Sequence, residues 1–490
     1  MPGRVLSVAS EYVPLVKTGG LADVAGALPG ALRAQGWDMR TLLPAYPGLI
    51  DKAQATTEVW SDPALFGGPG RVLMGQVGDG TVLLLDAPHL YDRKGGPYGN
   101  PQDFPDNAQR FAALSWVAAR IAVDGLSDGW LPDVLHGHDW QAGFAPAYLK
   151  FTGQTRVKSV MTIHNIAFQG NAPAAMLGEL KLPFEAFNTD TLEFWGHLSS
   201  LKAGLATADA ITTVSPTYAA ELMRHEFGMG LEGLIAYRAP DLHGILNGID
   251  DDVWNPQTDP EVKPFSKSAL AKKRANRDAL LAEFGLTDIA GPLAIVVSRL
   301  TDQKGIDLIA ATAADFVRDG GGLAILGSGE ARLEEALKNL VKAHPGKIGL
   351  RIGYDEPLAH RMFAGGDAVL VPSRFEPCGL TQLYGLRYGC LPVVALTGGL
   401  ADTVIDANPM AVRAGVATGI QFHPVDALAF GQALRRLTEL HHDAKGWAAM
   451  QKRGMSQALG WDTSAKAYAD LYESLTRERE PEPRNPDKAA

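Results

Sequence analysis

The 490-residue sequence is too long for one ordinary hydrophobic core, so two domains are expected. It is 46% hydrophobic and 20% charged with a formal net charge of −10, a balance that argues against nucleic acid as a partner while allowing a local basic pocket for a small anion. Cys378 and Cys390, the two cysteines, have neither disulfide-framework nor zinc spacing, and the longest apolar runs are strand-length, so no membrane is expected. The opening MPGRVLSVASE lacks a signal-peptide core and an Arg/Ser-rich transit segment, so the expected location is cytoplasmic.

In chain order, strands are predicted at 4–10 (RVLSVAS), 39–44, 81–87, 133–138 (DVLHGH), 158–163 (KSVMTI) and 210–214. After a break a second series follows at 242–246, 292–298, 321–327, 348–353, 367–372 and 391–396. These runs are bounded by Gly, Pro, Asp or Asn and lack strict alternation, the pattern of parallel strands buried on both faces. Stretches such as 105–123 and 331–343 read as crossover helices, giving an α/β class with two Rossmann-like, doubly wound domains. The seam falls near 246–290, where Asp, Pro and Asn accumulate before a helix at 269–284. Expected boundaries are 1–245 and 246–455 for the two domains, 456–477 for a terminal helical segment and 478–490 for a disordered Pro- and charge-rich tail.

Within this frame the chemistry-bearing residues cluster at strand ends. The string TGGLAD occurs at 18–23 and again at 397–402, each time in a strand-to-helix turn where glycine amides and a helix N-terminus suit phosphate or sugar oxygens. Neither copy matches the dinucleotide or P-loop pattern. Lys17 precedes the first copy, whereas Leu396 precedes the second, which has no charge beside its glycines in sequence. His136, His138 and Asp139 close strand 133–138, and His164 and Asn165 close strand 158–163. Asp139 and His164 read as hydrogen-bonding groups for a polar ligand rather than as metal ligands. Asp250–Asp252 contains a D-x-D string but sits in the seam, where a turn or cap is the expected role.

Arg299 and Lys304 flank one tight turn after strand 292–298, supplying a planar fork and a point charge for a diphosphate. Glu376 follows strand 367–372, and the amides of Leu380 and Thr381 open the next helix. Cys378 has no adjacent base and reads as a small neutral filler rather than a nucleophile.

These motifs together resemble the bacterial glycogen synthases and plant starch synthases of the GT-B fold. The matching stretches are KTGGLADV, HGHDWQAG, TIHNIAFQG, FGMGLEG, LNGID, SRLTDQKG, PSRFEPCGLTQLYGLRYG and TGGLADTV, in family order from residue 4 to about 475. The resemblance implies two domains around a deep cleft, with the terminal helix returning to the first. It also implies retaining transfer of glucose from ADP-glucose to the non-reducing 4-hydroxyl of an α-1,4-glucan such as glycogen or a maltooligosaccharide. No metal or other cofactor is implied.

By the same resemblance Arg299 and Lys304 stabilise the departing diphosphate, and Glu376 binds the donor glucose near the reacting carbon. Lys17, Gly19 and Gly20 lie on a loop contacting the distal phosphate. Gly379, Leu380 and Thr381 supply phosphate donors, and Tyr354 stacks on adenine. His164 and Asp139 contact the glucosyl unit, with Asp23, Asn165, Asn247 and Cys378 at the donor or acceptor glucose. Gln141 departs from the family, many of whose members have histidine there. Front-face displacement within an ion pair is the preferred mechanism because Glu376 has no sequence-adjacent carboxylate partner, with a covalent intermediate as the rival. UDP-glucose remains the rival donor, and a non-catalytic glucan-binding protein the rival class.

Overall fold

The structure, a computed structural model, describes residues 3–100 and 102–477, so the predicted tail at 478–490 lies outside the described residues. Two units partition the chain. Unit 1 takes the described residues up to Thr213, Leu222–Ile245 and those from Asp462 onward; unit 2 takes Val214–Glu221 and Leu246–Trp461. Residues 214–221, inside the stretch read from sequence as the first domain, thus group with unit 2.

Unit 1 contains β1 (Gly3–Val8), β2 (Trp37–Pro44), β3 (Gln54–Leu65), β4 (Gly68–Val77), β5 (Gly80–Asp86), β6 (Val134–His138) and β7 (Lys158–Ile163). A small antiparallel ribbon follows from β8 (Asn171–Pro173), β9 (Glu193–Phe194) and β10 (His197–Ser199), then β11 (Ala210–Thr213) and β12 (Leu242–Gly244). The main sheet runs β12-β11-β7-β6-β1-β2-β5-β4-β3. It is parallel except at β3–β4 and β4–β5.

The run at 242–246, placed with the second series from sequence, instead pairs with β11 in the first sheet as β12. Periodicity cannot say which sheet adopts a three-residue edge strand. The β3–β4 hairpin was missed for a different reason. Most of β3 is solvent-exposed and contains Pro63, and β4 is interrupted by glycines, so neither carries the apolar signal of a buried strand.

Unit 2 is a six-stranded parallel sheet of β13 (Leu293–Val297), β14 (Gly322–Gly327), β15 (Ile348–Ile352), β16 (Ala368–Val371), β17 (Leu391–Ala395) and β18 (Ile420–Phe422). Its order is β15-β14-β13-β16-β17-β18. Alternate residues of one strand enter different cores. Ala294, Val296, Leu323 and Val393 pack on one face, and Leu293, Ile295, Ala324 and Val394 on the other. Burial on both faces is why these strands read as continuous apolar runs.

Among their parallel strands the two large sheets each have one point where the strand order reverses, between β1 and β6 in unit 1 and between β13 and β16 in unit 2. In open α/β sheets, ligands bind outside the carboxyl ends of the strands at such a point. Among the described residues no helix is long and apolar enough to cross a membrane.

Candidate active site

In unit 2 the loops after β13 and β16 meet at the switch point. Arg374 N–H donates to Gln303 O at 2.8 Å, and Gln303 Nε2 to Phe375 O at 3.3 Å. This stitching brings Lys304 Nζ to 2.5 Å from Glu376 Oε2, although the two residues are 72 apart in sequence. Ser373 Oγ donates to the same carboxylate oxygen at 2.9 Å. Glu376 is only 7% exposed, so its charge depends on these two partners. Arg299 stands exposed on the same loop, its Nη2 3.3 Å from Gln303 Oε1. The helix Thr381–Arg387 begins beside Glu376, with Leu380 as its N-cap residue.

Several further sequence candidates fall in this unit. Tyr354 is 78% exposed and donates from its hydroxyl to Glu356 at 2.6 Å. Asn247 is buried, and its Oδ1 has no hydrogen-bond partner among the described residues. Burial pushes the Cys378 thiol up to about 12, which fits a filler and not a thiolate nucleophile. Asp250 Oδ1 accepts from the amides of Asp252 and Val253 at 3.1 and 3.0 Å, the capped turn expected of the D-x-D string.

The two TGG copies share a device that is invisible in the linear sequence. Each binds a buried glutamate carboxylate through its threonine hydroxyl and a glycine amide. In unit 1, Thr18 N and Oγ1 donate to Glu11 at 2.5 Å each, and Gly19 N at 3.1 Å. In unit 2, Thr397 Oγ1 and Gly398 N donate to Glu221 at 2.8 and 3.1 Å. The second copy therefore does have a charge beside its glycines, from a residue 177 positions away, contrary to the sequence reading.

What distinguishes the copies is the space around their glycines. A Cβ built on Gly19 or Gly20 meets nothing within 4 Å among the described residues, so this backbone has room for a ligand. A Cβ on Gly398 would lie 1.9 Å from Glu376 O, and one on Gly399 2.1 Å from Cys378 O. The second copy is closed against the Glu376 loop. Lys17, at the open copy, pairs with Asp23 at 2.7 Å.

In unit 1 the end of β6 is a buried histidine row. The strand persists through His138, so His136 and His138 share a face with ring centroids 4.2 Å apart. His136 bonds Tyr472 OH at 2.7 Å and Thr162 Oγ1 at 2.5 Å, and His138 Nδ1 lies 3.0 Å from His164 Nε2. Tyr472 comes from the terminal helix Asp462–Thr476. Burial lowers the basicity of all three rings, that of His138 to about 3, so they are neutral at pH 7. Among the described residues no group of three or more His, Cys, Asp or Glu side chains is placed to hold a metal ion.

Asp139 follows at φ +54°, and its Oδ1 accepts from the amides of His164 and Asn165 at 2.7 and 3.3 Å. That bond pair fixes the β7 end that carries His164. Asn165 spends its Oδ1 on the amide of Ala167. Burial raises the Asp139 carboxyl from 3.8 to about 7, outweighing the two amide bonds that favour its anion. A raised folded-state value means the native state holds an extra proton between these limits, so stability falls as pH rises through that window. Asp139→Asn keeps the accepting oxygen and removes the titration. The wild-type urea midpoint, relative to this variant, is expected to decline from pH 3.8 to about 7. A constant difference would refute the assignment.

Residues missed from sequence are chiefly partners of residues found. Glu11, Ser373 and Glu221 each hold a loop through one carboxylate or hydroxyl. Tyr98 joins them, donating to Glu11 Oε1 at 2.6 Å and lying 2.8 Å from Ser10 Oγ. The signal available was a lone acid at the end of strand 4–10, immediately before the Lys17 loop. Gln141, the noted departure, is buried with its Oε1 unpartnered.

Comparison with known proteins bears on the family and the fold. Residues 4–237 match the starch synthase catalytic domain family, and residues 291–439 the glycosyl transferases group 1 family. The chain is 63% identical to a glycogen synthase of Cereibacter sphaeroides, over 96% of this chain and 98% of that protein. It is 56% identical to the glycogen synthase of Paracoccus denitrificans, over 96% and 99%. The catalytic domain of starch synthase IV from Arabidopsis thaliana, solved bound to ADP and acarbose, superposes with a TM-score of 0.87. It shares 31% identity, with 97% of this chain and 100% of that chain covered. A sucrose-phosphate synthase of Thermosynechococcus elongatus shares the fold at a TM-score of 0.59 and 19% identity. With its two Rossmann-like units of the GT-B class and this near-complete match, the chain belongs to the glycogen synthase family of glycosyltransferases.

Proposed function

We propose that the protein elongates α-1,4-glucan by transferring glucose from ADP-glucose to the non-reducing 4-hydroxyl, with retention and release of ADP. The observation that carries this reading is the meeting of the Lys304 and Glu376 loops at the β13–β16 switch point, beside a helix N-terminus. A leaving diphosphate gains negative charge as the glycosidic bond breaks, and Lys304, Arg299 and the Leu380 and Thr381 amides are the groups to receive it. Gly379 lets that turn approach the phosphate. Lys304 is paired with Glu376. A bound diphosphate competes for the ammonium and frees the carboxylate for the donor glucose hydroxyls. Lys17 undergoes the same exchange with Asp23, and the open amides of Gly19 and Gly20 follow it to the distal phosphate.

The unpartnered Asn247 Oδ1 supports a hydroxyl-bearing ligand, since a sugar would satisfy it. Cys378, 6% exposed, lies beside it as a neutral contact. Exposed Tyr354 offers a face for the adenine. Asp139, His164 and Asn165 take the glucosyl unit, the neutral His164 acting as a hydrogen-bonding group and not as a cation. Charge on the diphosphate is met by protein cations and amides, so the reading includes no metal. Retention follows front-face attack within the ion pair. The ADP and acarbose bound to the Arabidopsis relative are consistent with a nucleotide donor and a glucan-like acceptor.

Glucosyl incorporation into glycogen, measured with ADP-glucose and with UDP-glucose, each with and without EDTA, tests the reading. Incorporation from ADP-glucose that EDTA leaves unchanged is expected. Transfer from neither sugar nucleotide would overturn it, preference for UDP-glucose would overturn the donor, and EDTA sensitivity the metal-free mechanism.

A further inference from the structure

The segment Val214–Glu221 departs from β11, contributes to unit 2, and returns at Leu222. Ser215, Thr217 and Glu221 of this segment reach the loops around Glu376. Ser215 Oγ donates to Pro377 O at 2.7 Å while accepting the Tyr218 amide at 3.0 Å. Thr217 donates through both its amide and its hydroxyl to Asp402, the aspartate of the second TGGLAD string, at 2.8 and 2.7 Å. Glu221 receives Thr397 Oγ1 and Gly398 N. Ser215 is fully buried, Thr397 is 3% exposed and Glu221 8%, so the Ser215 and Glu221 bonds are shielded from water, whereas the Thr217–Asp402 pair is exposed.

The TGG turn passes this restraint onward. Gly399 N donates to both Glu376 O and Pro377 O at 3.1 Å, and the glycines at 398 and 399 leave no room for even a methyl group against residues 376–378. The backbone bearing Glu376 is thus gripped directly by Ser215 and indirectly by Glu221. A surface turn has no need of two buried polar anchors, but a carboxylate that must hold its place when Lys304 exchanges partners does. We propose that Ser215 and Glu221 are positioning residues for Glu376, acting through the second TGG copy. This rests on the reading of Glu376 as the donor-glucose residue.

The test uses the full-length chain and compares Glu221→Ala, Glu221→Gln, Thr397→Val and the Glu221→Ala/Thr397→Val double variant. Initial rates of glucosyl transfer from ADP-glucose are taken below every variant's melting temperature. Displacing a reacting group by an ångström costs about 10²-fold in rate, so Glu221→Ala is expected to lower kcat by that order with little change in donor KM. Glu221→Gln keeps an accepting oxygen and should recover most of the rate. Thr397→Val should be slowed, and the double variant no slower than Glu221→Ala, because the Thr397–Glu221 bond is already lost in Glu221→Ala. Parental kcat in Glu221→Ala, a Gln variant no better than Ala, or additive losses would each overturn the proposal.

If Glu221→Ala does not fold, Thr397→Val at the parental kcat overturns it. Glu376→Gln is assayed alongside. Full activity there would overturn the proposed function and this inference with it. An inactive Glu376→Gln beside a fully active Glu221→Ala overturns the positioning role alone.

Discussion

Lys304→Ala is expected to lower kcat by about 10²–10³-fold, the cost of removing one preorganised donor from a developing anion. Two effects combine. The departing diphosphate loses a point charge, and Glu376 keeps the Ser373 hydroxyl as its side-chain hydrogen-bond donor among the described residues, in a 7%-exposed site. The pair is largely buried, so leaving Glu376 without its cation should also lower the melting temperature, and rates are therefore taken below the variant's melt. Lys304→Arg retains charge, but a planar fork does not fit where an ammonium sits 2.5 Å from the carboxylate, and partial activity is expected. Single-turnover transfer from ADP-glucose to a maltooligosaccharide, with a melt beside it, decides the matter. A kcat close to the parental value would remove Lys304 from the mechanism.

The second large effect concerns Gly398→Ala. The new methyl group would lie 1.9 Å from Glu376 O, on a residue at φ +43°, where an L side chain is itself strained. Overpacking of this kind costs about 1–3 kcal/mol, and relief requires the Glu376–Pro377 backbone to move. A lower urea midpoint and a loss of kcat of about 10²-fold are expected together. Gly20→Ala is the control, since its methyl group meets nothing within 4 Å of the protein. That variant should keep its stability and show its effect in the KM for the sugar nucleotide. Equal behaviour of the two variants would mean that the two TGG copies do not differ as described.

Much of the fold was legible. Strands predicted at 158–163 and 391–396 appear as Lys158–Ile163 and Leu391–Ala395, and the helix predicted at 331–343 is Ala331–Ala343. Parallel strands buried on both faces leave an unbroken apolar run, which one short window of sequence reveals. The hairpin Gln54–Leu65 and Gly68–Val77 was not legible, because an exposed antiparallel edge leaves no such run. The strand Leu242–Gly244 was found but given to the wrong series, since pairing partners are not written in the strand itself.

The candidate site divides in the same way. Arg299, Lys304, Glu376, Asp139 and His164 stood out because charged and polar residues at the ends of apolar runs are costly unless used. Residue type and strand-end position are local properties, and the amino-acid order alone determined them. Tertiary structure alone decided which of these groups touch. It set Lys304 against Glu376 across 72 residues, His138 against His164 across 26, and a separate glutamate beneath each TGG string. It also made one TGG copy open and the other closed, although their letters agree. A glycine's freedom is written in the sequence, but the space beside it is set by whichever distant backbone the sheet order brings there.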